Sequence, residues 1–181
     1  MLTELLDDVL GLQERQMQNS HITLRKRYRT PGTVHGFPVE LRQVFLNLLG
    51  NAVQAMPSAG RLRLSVCESY DWVLRRRGIS VSIVDTGMGV KPQDSKRLFE
   101  PFFSTKSTKG TGLGLWISRG IIQKYEGRIS FRSLRGTDGT STCFRVFLPS
   151  SGTAGLINAT DMTTAGLEGS SNGHSATMQH A

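Results

Sequence analysis

Two spacings of apolar residues alternate along the chain and predict its elements. Leu2, Leu5, Leu6, Val9, Leu10 and Leu12 recur every three or four positions, so the chain opens on an amphipathic helix. Residues 21–28 read as a short strand with Ile22 and Leu24 on one side. A loop holding Pro31, Gly32 and Gly36 leads to Pro38, whose fixed φ suits the first turn of a helix. That helix is expected to run to about Met56, where Pro57 and Gly60 stop it, with Leu41, Val44, Phe45, Leu48, Leu49 and Ala52 as its stripe. Strands are predicted at 61–70, where Leu62, Leu64 and Val66 alternate with polar neighbours, and at 78–84. Residues 85–109 read as turn and loop with a short helical piece near 94–99. A helix over 113–125, ended by Gly127, and two strands, 128–134 and 142–148, joined across Gly136 and Gly139, complete the set. This order predicts an α+β fold, a two-layer sandwich of helices on one face of a mixed, mostly antiparallel sheet.

From about residue 150 the pattern stops. Residues 150–181 are rich in Gly, Ser, Thr and Ala, and their single apolar residues have no period. Such a stretch cannot bury enough surface to offset the entropy of ordering it, so a flexible tail is expected. The 181 residues, 38% apolar and 20% charged, exclude a coiled coil and a wholly disordered chain. No apolar run approaches the roughly 18 to 20 residues of a membrane-spanning helix. The first residues, Met1 to Asp8, are acidic where an export signal is basic. Cys67 and Cys143 fit neither a disulfide framework nor a CxxC metal site. They read as buried apolar residues of a chain kept in a reducing, cytoplasmic compartment.

Charge changes the picture more. Lys and Arg total 22 and Asp and Glu 14, a net +8. The tail carries only Asp161 and Glu168, so the rest has 22 − 12 = +10. A domain this basic attracts polyanions: nucleic acid, a membrane surface or the phosphates of a nucleotide.

Four clusters then suggest chemistry. Asn47 and Asn51 are spaced i, i+4 and share a helix face off the apolar stripe. Their amide oxygens suit a hard cation such as Mg2+, although two packing asparagines would look the same. Asp85-Thr86-Gly87-Met88-Gly89 follows an apolar strand. A carboxylate there can accept a hydrogen bond from an exocyclic amine, and the glycines let backbone approach a flat ring. An ordinary turn has the same wording. Leu98 to Lys106 carries Phe99, Phe102 and Phe103 within a polar loop. These are either anchors to the core or part of a lid that closes on a ligand, with Lys106 facing its phosphates. Lys109-Gly110-Thr111-Gly112-Leu113-Gly114-Leu115 opens the last helix, where free backbone N–H groups and the positive dipole end attract anions. It is neither the dinucleotide fingerprint nor a P-loop.

In this order the four clusters resemble the ATP-binding catalytic domain of sensor histidine kinases. That domain belongs to a wider class shared with DNA gyrase, MutL and the heat-shock chaperone ATPases and known by its Bergerat fold. Leu41 to Ala55 matches the kinases' N box, Asp85 to Gly89 the first glycine box, Phe99 to Lys106 the F box and Gly110 to Leu115 the second glycine box. The wording of residues 100–106 and of 51–56 is closest to the nitrogen-regulation and oxygen-sensing group. The resemblance implies that Asp85 binds the adenine amine in a pocket shaped by Gly87 and Gly89. It implies that Asn51, helped by Asn47, holds Mg2+ at the ATP phosphates. Lys106 and the run Gly110, Thr111, Gly112, Leu113, Gly114 and Leu115 would contact those phosphates, and residues 90–109 would form a lid. Hydrolases of the class carry a glutamate one turn before the magnesium asparagine. Here that position is Asn47, an amide that cannot activate water, which favours a kinase over an ATPase.

The family also needs a phosphoacceptor histidine on a helical hairpin. Residues 20–25 echo such a motif, but no acid follows His21 and the surroundings alternate like a strand. His35 lies in a Pro/Gly loop, and His174 and His180 lie in the tail. The expectation is therefore a catalytic domain over 18–149, preceded by a helix over 1–17 left from the connection to a missing dimerisation hairpin, and followed by the tail. Its partners would be ATP, the histidine-bearing domain and, through that, a response regulator. A serine kinase of the anti-sigma kind and a non-catalytic nucleotide-binding module are the alternatives. Nucleic acid is not expected, since no helix-turn-helix, zinc or RNA-recognition signature is present.

Overall fold

The computed structural model describes residues 1–34, 36–104, 111–136 and 139–150. Three helices and five strands follow one another as α1 (Leu2–Asn19), β1 (Ile22–Tyr28), α2 (Pro38–Gln54), β2 (Gly60–Asp71), β3 (Arg76–Asp85), α3 (Gly114–Lys124), β4 (Arg128–Gly136) and β5 (Gly139–Pro149). The strands form a single sheet in the order β1-β2-β3-β5-β4. β1 runs parallel to β2, and every other pairing is antiparallel. The parallel pair exists because α2 carries the chain across the sheet between β1 and β2, a connection no hairpin can make.

Strand periodicity puts alternate side chains on opposite faces. Leu62, Leu64 and Val66 of β2, Ile79, Val81 and Ile83 of β3, and Phe144, Val146 and Leu148 of β5 point to the helices and are buried. They meet Leu41, Val44, Phe45, Leu48, Leu49, Ala52 and Val53 of α2 in one core. Leu2, Leu5, Leu6, Val9 and Leu10 of α1 belong to the same core, whereas Leu12 is exposed. α1 is tied to the sheet's edge by Asp7, which accepts from Lys26 Nζ at 3.0 Å and from Tyr28 Oη at 2.8 Å.

Several local expectations shift by a residue or a turn. The strand expected from His21 begins at Ile22, because His21 has φ +51 and reverses the chain after α1, its N–H donating to Gln18 O at 3.0 Å. The helical piece expected at 94–99 is a single 3-10 turn, Pro92–Asp94, followed by consecutive turns. Gly127 does not end α3 by supplying a left-handed residue. Glu126 takes that conformation at φ +53 and Gly127 N–H donates back to Ile122 O at 2.9 Å. Gly127 is required for another reason: a Cβ there would lie 2.4 Å from Phe147 O. The cysteines are not core residues. Both are half-buried at positions facing away from the helices, Cys67 on β2 and Cys143 on β5. Burial raises the Cys143 thiol above its ordinary range, against the pull of Arg145 and Arg132. β4 and β5 pair antiparallel as expected, with Gly136 opposite Gly139.

Candidate functional site

The predicted polar residues converge where α2 meets the start of α3 and the end of β3. Asn47 and Asn51 lie one turn apart on α2. Asn51 Nδ2 is 3.4 Å from Asn47 Oδ1, and Asn47 Nδ2 donates to Ser118 Oγ at 3.0 Å. α3 begins directly against this pair, since a Cβ at Gly114 would lie 2.1 Å from Asn47 Oδ1. Glycine at that position is what lets a helix N-terminus, with its unpaired first-turn N–H groups, come so close to two amides. Leu113 N–H lies 3.5 Å from Thr111 Oγ1, and the Leu115 side chain packs against the core.

Asp85 ends β3 on the covered face and is 1% exposed. Its Oδ1 accepts from Gly87 N–H at 2.9 Å. Burial pushes its carboxyl up to about 6, against the opposing effect of the Gly87 and own-backbone N–H groups. A carboxylate sunk this deeply with so few donors is poised to accept a hydrogen bond from a ligand. The glycines after it are there for space. A Cβ at Gly87 would meet Ala55 O at 2.5 Å, and Met88 N–H donates to that same oxygen at 3.1 Å. Gly89 has φ +74, and a Cβ there would lie 2.1 Å from Thr140 Cγ2. The first glycine box thus packs its backbone between the end of α2 and the β4–β5 hairpin.

The phenylalanine loop divides its labour. Phe99 is an anchor, its ring 6.1 Å from that of Phe131, with the Arg119 guanidinium 5.8 Å away. Arg97 lies 4.6 Å from the Phe103 ring and also pairs with Glu100. Phe102 is 77% exposed and sits at φ +63, a costly conformation for a residue with a Cβ. Gly112, at φ +68, leaves room for it: a Cβ there would lie 2.4 Å from the Phe102 carbonyl carbon. The F box and the second glycine box therefore touch backbone to backbone. Lys106 and Gly110, also predicted for the site, lie outside the described residues, as does Lys109.

Sequence reasoning missed four contributors. Thr142 of β5 is buried directly opposite Asp85 in the β3–β5 register. Ser133 of β4 accepts from Val90 N–H at 3.0 Å, Ser118 holds Asn47, and Ala55 receives the glycine box. A usable signal existed for Thr142: it shares the inward parity of Phe144, Val146 and Leu148 and is polar there. The tie between α2 and α3 was not visible. Tyr125 Oη and Lys124 Nζ both reach Glu40, the latter at 2.7 Å, and Phe37 N–H donates to Tyr125 Oη at 3.0 Å. The Lys124 and Tyr125 hydrogen bonds hold the Glu40 carboxyl below its usual range. A cavity of about 700 Å3 near Arg119 and Gly127 takes in Phe99 of the expected lid but none of the residues expected to contact ATP.

Helices layered on one face of a mixed sheet, with polar residues gathered at one end of that layer, define the class as that of histidine-kinase-type ATP-binding domains. Residues 36–152 match the family described as histidine kinase-, DNA gyrase B-, and HSP90-like ATPase, and the chain belongs to this family. It is similar to Sporulation kinase E of Bacillus subtilis (strain 168), 32% identical over 149 residues, which cover 82% of this chain and 19% of that protein. Sensor histidine kinase ZraS of Escherichia coli (strain K12) is 32% identical over 149 residues, covering 82% of this chain and 30% of ZraS. Among solved structures, the mycobacterial sensor histidine kinase MprB superimposes with a TM-score of 0.70 at 28% identity, covering 82% of this chain and 93% of the other. The catalytic domain of histidine kinase ThkA does so with a TM-score of 0.70, covering 82% and 92%. The chain spans between about a fifth and a third of the curated relatives Sporulation kinase E, Sporulation kinase C and Sporulation kinase A. It matches them as the ATP-binding catalytic domain.

Proposed function

We propose that this domain binds Mg-ATP and hands the γ-phosphoryl group to a histidine carried by another domain, from which it passes to a response regulator. Asp85 accepts from the adenine amine, with Thr142 opposite it and Gly87 and Gly89 giving the ring access to the backbone. Thr111, Gly112 and Leu113, which lead into α3, and Gly114 and Leu115, which open it, face the phosphates with their N–H groups, and Lys106 and Gly110 are assigned to the same phosphates. Residues 90–109 close over the nucleotide as a lid. The donor set at Asn51 and Asn47 offers neutral amide oxygens without a carboxylate cluster, and no group of three or more His, Cys, Asp or Glu side chains lies together among the described residues. That set fits Mg2+ arriving with the phosphates rather than a bare ion held by protein alone. When bound, Mg2+ supplies charge neutralisation at the phosphates.

The observation that carries the transfer reading is Asn47. It stands where a hydrolase needs a base, and its amide is held by Ser118 and Asn51. Neither atom can take a proton from water, so the site favours a delivered acceptor. The kinship to kinases named as sensor histidine kinases supports this over a serine kinase. The test is to incubate the chain with labelled ATP, with and without a helical hairpin bearing a phosphoacceptor histidine. Acid-labile label on the hairpin and negligible phosphate release without it is the expected result. Steady ATP hydrolysis by the chain alone, or label on serine, would overturn it.

A further inference from the structure

The sheet's other face is covered by no element among the described residues, and it is strongly basic. Arg25 and Arg27 of β1 and Arg61 and Arg63 of β2 point away from the helices and are all exposed. In the β1–β2 register Arg25 lies directly opposite Arg63, with Arg61 and Arg27 one pleat to either side. Strand spacing puts the four within a strip of about 5 by 13 Å. Like charges facing one another across strands destabilise a sheet. Of the ion pairs among the described residues, none involves any of these four side chains. Asp7, which pairs with β1, does so on the covered side, with Lys26 and Tyr28. Charge on an edge strand such as β1 guards against aggregation, but β2 is an interior strand and needs no such guard.

We propose that this open face docks an acidic segment of a partner protein, seated on Arg25, Arg27, Arg61 and Arg63. Arg25, Arg27 and Arg63 line a shallow depression of about 280 Å3 on this face. Across the next strands the face continues with Ser65, Ser82 and Arg145 in one row. Hydroxyls and guanidinium groups together suit bidentate and single hydrogen bonds to carboxylates. The cations are arginines, which protein interfaces favour over lysine. Other polyanions fit the face less well. Phe147 is the aromatic at an outward position and is buried, so no exposed ring among the described residues serves to stack bases or enter a lipid interface there. A broad sheet also cannot enter a DNA groove as a helix or a two-stranded ribbon does. The face lies opposite the ATP site, so the proposal stands apart from the phosphotransfer reading.

The test measures anisotropy of a labelled short glutamate-rich peptide with the full chain at low ionic strength. The double variant R25Q/R63Q should weaken peptide binding by roughly tenfold, while leaving Mg-ATP affinity and thermal stability no lower. The variant R75Q/R77Q removes the same charge from the β2–β3 turn and the start of β3 and should leave peptide affinity within about twofold. No peptide binding by the unaltered chain overturns the proposal. So does equal weakening in both double variants, which marks a general charge effect. A loss confined to duplex DNA or to phosphatidylserine vesicles overturns it as well, by naming a different partner.

Discussion

The two faces of one sheet are built from the same strands and behave oppositely. On the helix side, Leu62, Leu64, Val81, Ile83 and Val146 are closed off from water, and the face's one carboxylate at the site, Asp85, sits in a surrounding that resists its charge. On the open side, one residue along the same strands, Arg25, Arg27, Arg61 and Arg63 of β1 and β2 are exposed, and there charge costs little because water remains. What separates the faces is the helix layer alone. A carboxylate becomes a precise acceptor on one side, while on the other a guanidinium stays available to a partner.

The contrast is broken most severely by putting the wrong residue on the covered face. Val81→Asp should cost more than about 4 kcal/mol and leave little folded protein. Its neighbour Ser82→Asp, facing the arginines, should change stability by less than about 0.5 kcal/mol, read by urea denaturation.

Asp85→Asn sharpens it next. Loss of the carboxylate should reduce ATP affinity by about a hundredfold or more, measured by calorimetry. The same change should make the empty protein more stable near neutral pH. A carboxyl raised from 3.8 to about 6 stabilises the fold fully below about pH 4, and that contribution is lost as pH rises through about 6. The interval corresponds to at most about 3 kcal/mol, which the amide recovers. In the unaltered protein ATP affinity should fall as pH drops below about 6, as the acceptor becomes protonated. Equal stability of Asp85→Asn and the unaltered chain near neutral pH would count against a buried, disfavoured carboxylate.

Gly114→Ala is a smaller intrusion. The added methyl would lie 2.1 Å from Asn47 Oδ1, so α3 or the Asn47 amide must give way by about 1 Å, costing about 1–3 kcal/mol. ATP affinity should fall with it, whereas Gly120→Ala, where a Cβ inside α3 meets nothing, should raise stability by up to about 1 kcal/mol and leave ATP affinity unchanged. The smallest effect is on the open face. Arg25→Gln should raise stability by a few tenths of a kcal/mol at low salt, and added salt should erase the gain.

Much of this was readable along the chain. The inward alternation of β2 and the stripe of α2 gave their elements within two or three residues of the observed ends, because each spans enough residues to show its period. Asn47, Asn51, Asp85, Gly87, Gly89, Gly112 and Gly114 could be singled out as candidates because the motifs that hold them follow one another in an order that resembles one family's, which no single motif would have shown. The cysteines misled because half-burial on an open sheet face leaves the same trace in sequence as full burial. Thr142 was passed over because its meaning depends on which residue of β3 lies beside it, and that is a matter of register.

The sequence by itself determined the elements, the faces they bury and the residue types available for chemistry, since period and local conformation are properties of neighbouring residues. Only the tertiary structure decided that β1 pairs in parallel with β2, bringing Arg25 opposite Arg63, and that α3 starts against Asn47. It also decided that Asp85 is buried beside Thr142. Those are contacts between positions far apart in the chain, and packing of the helices onto one face of the sheet is what fixes them.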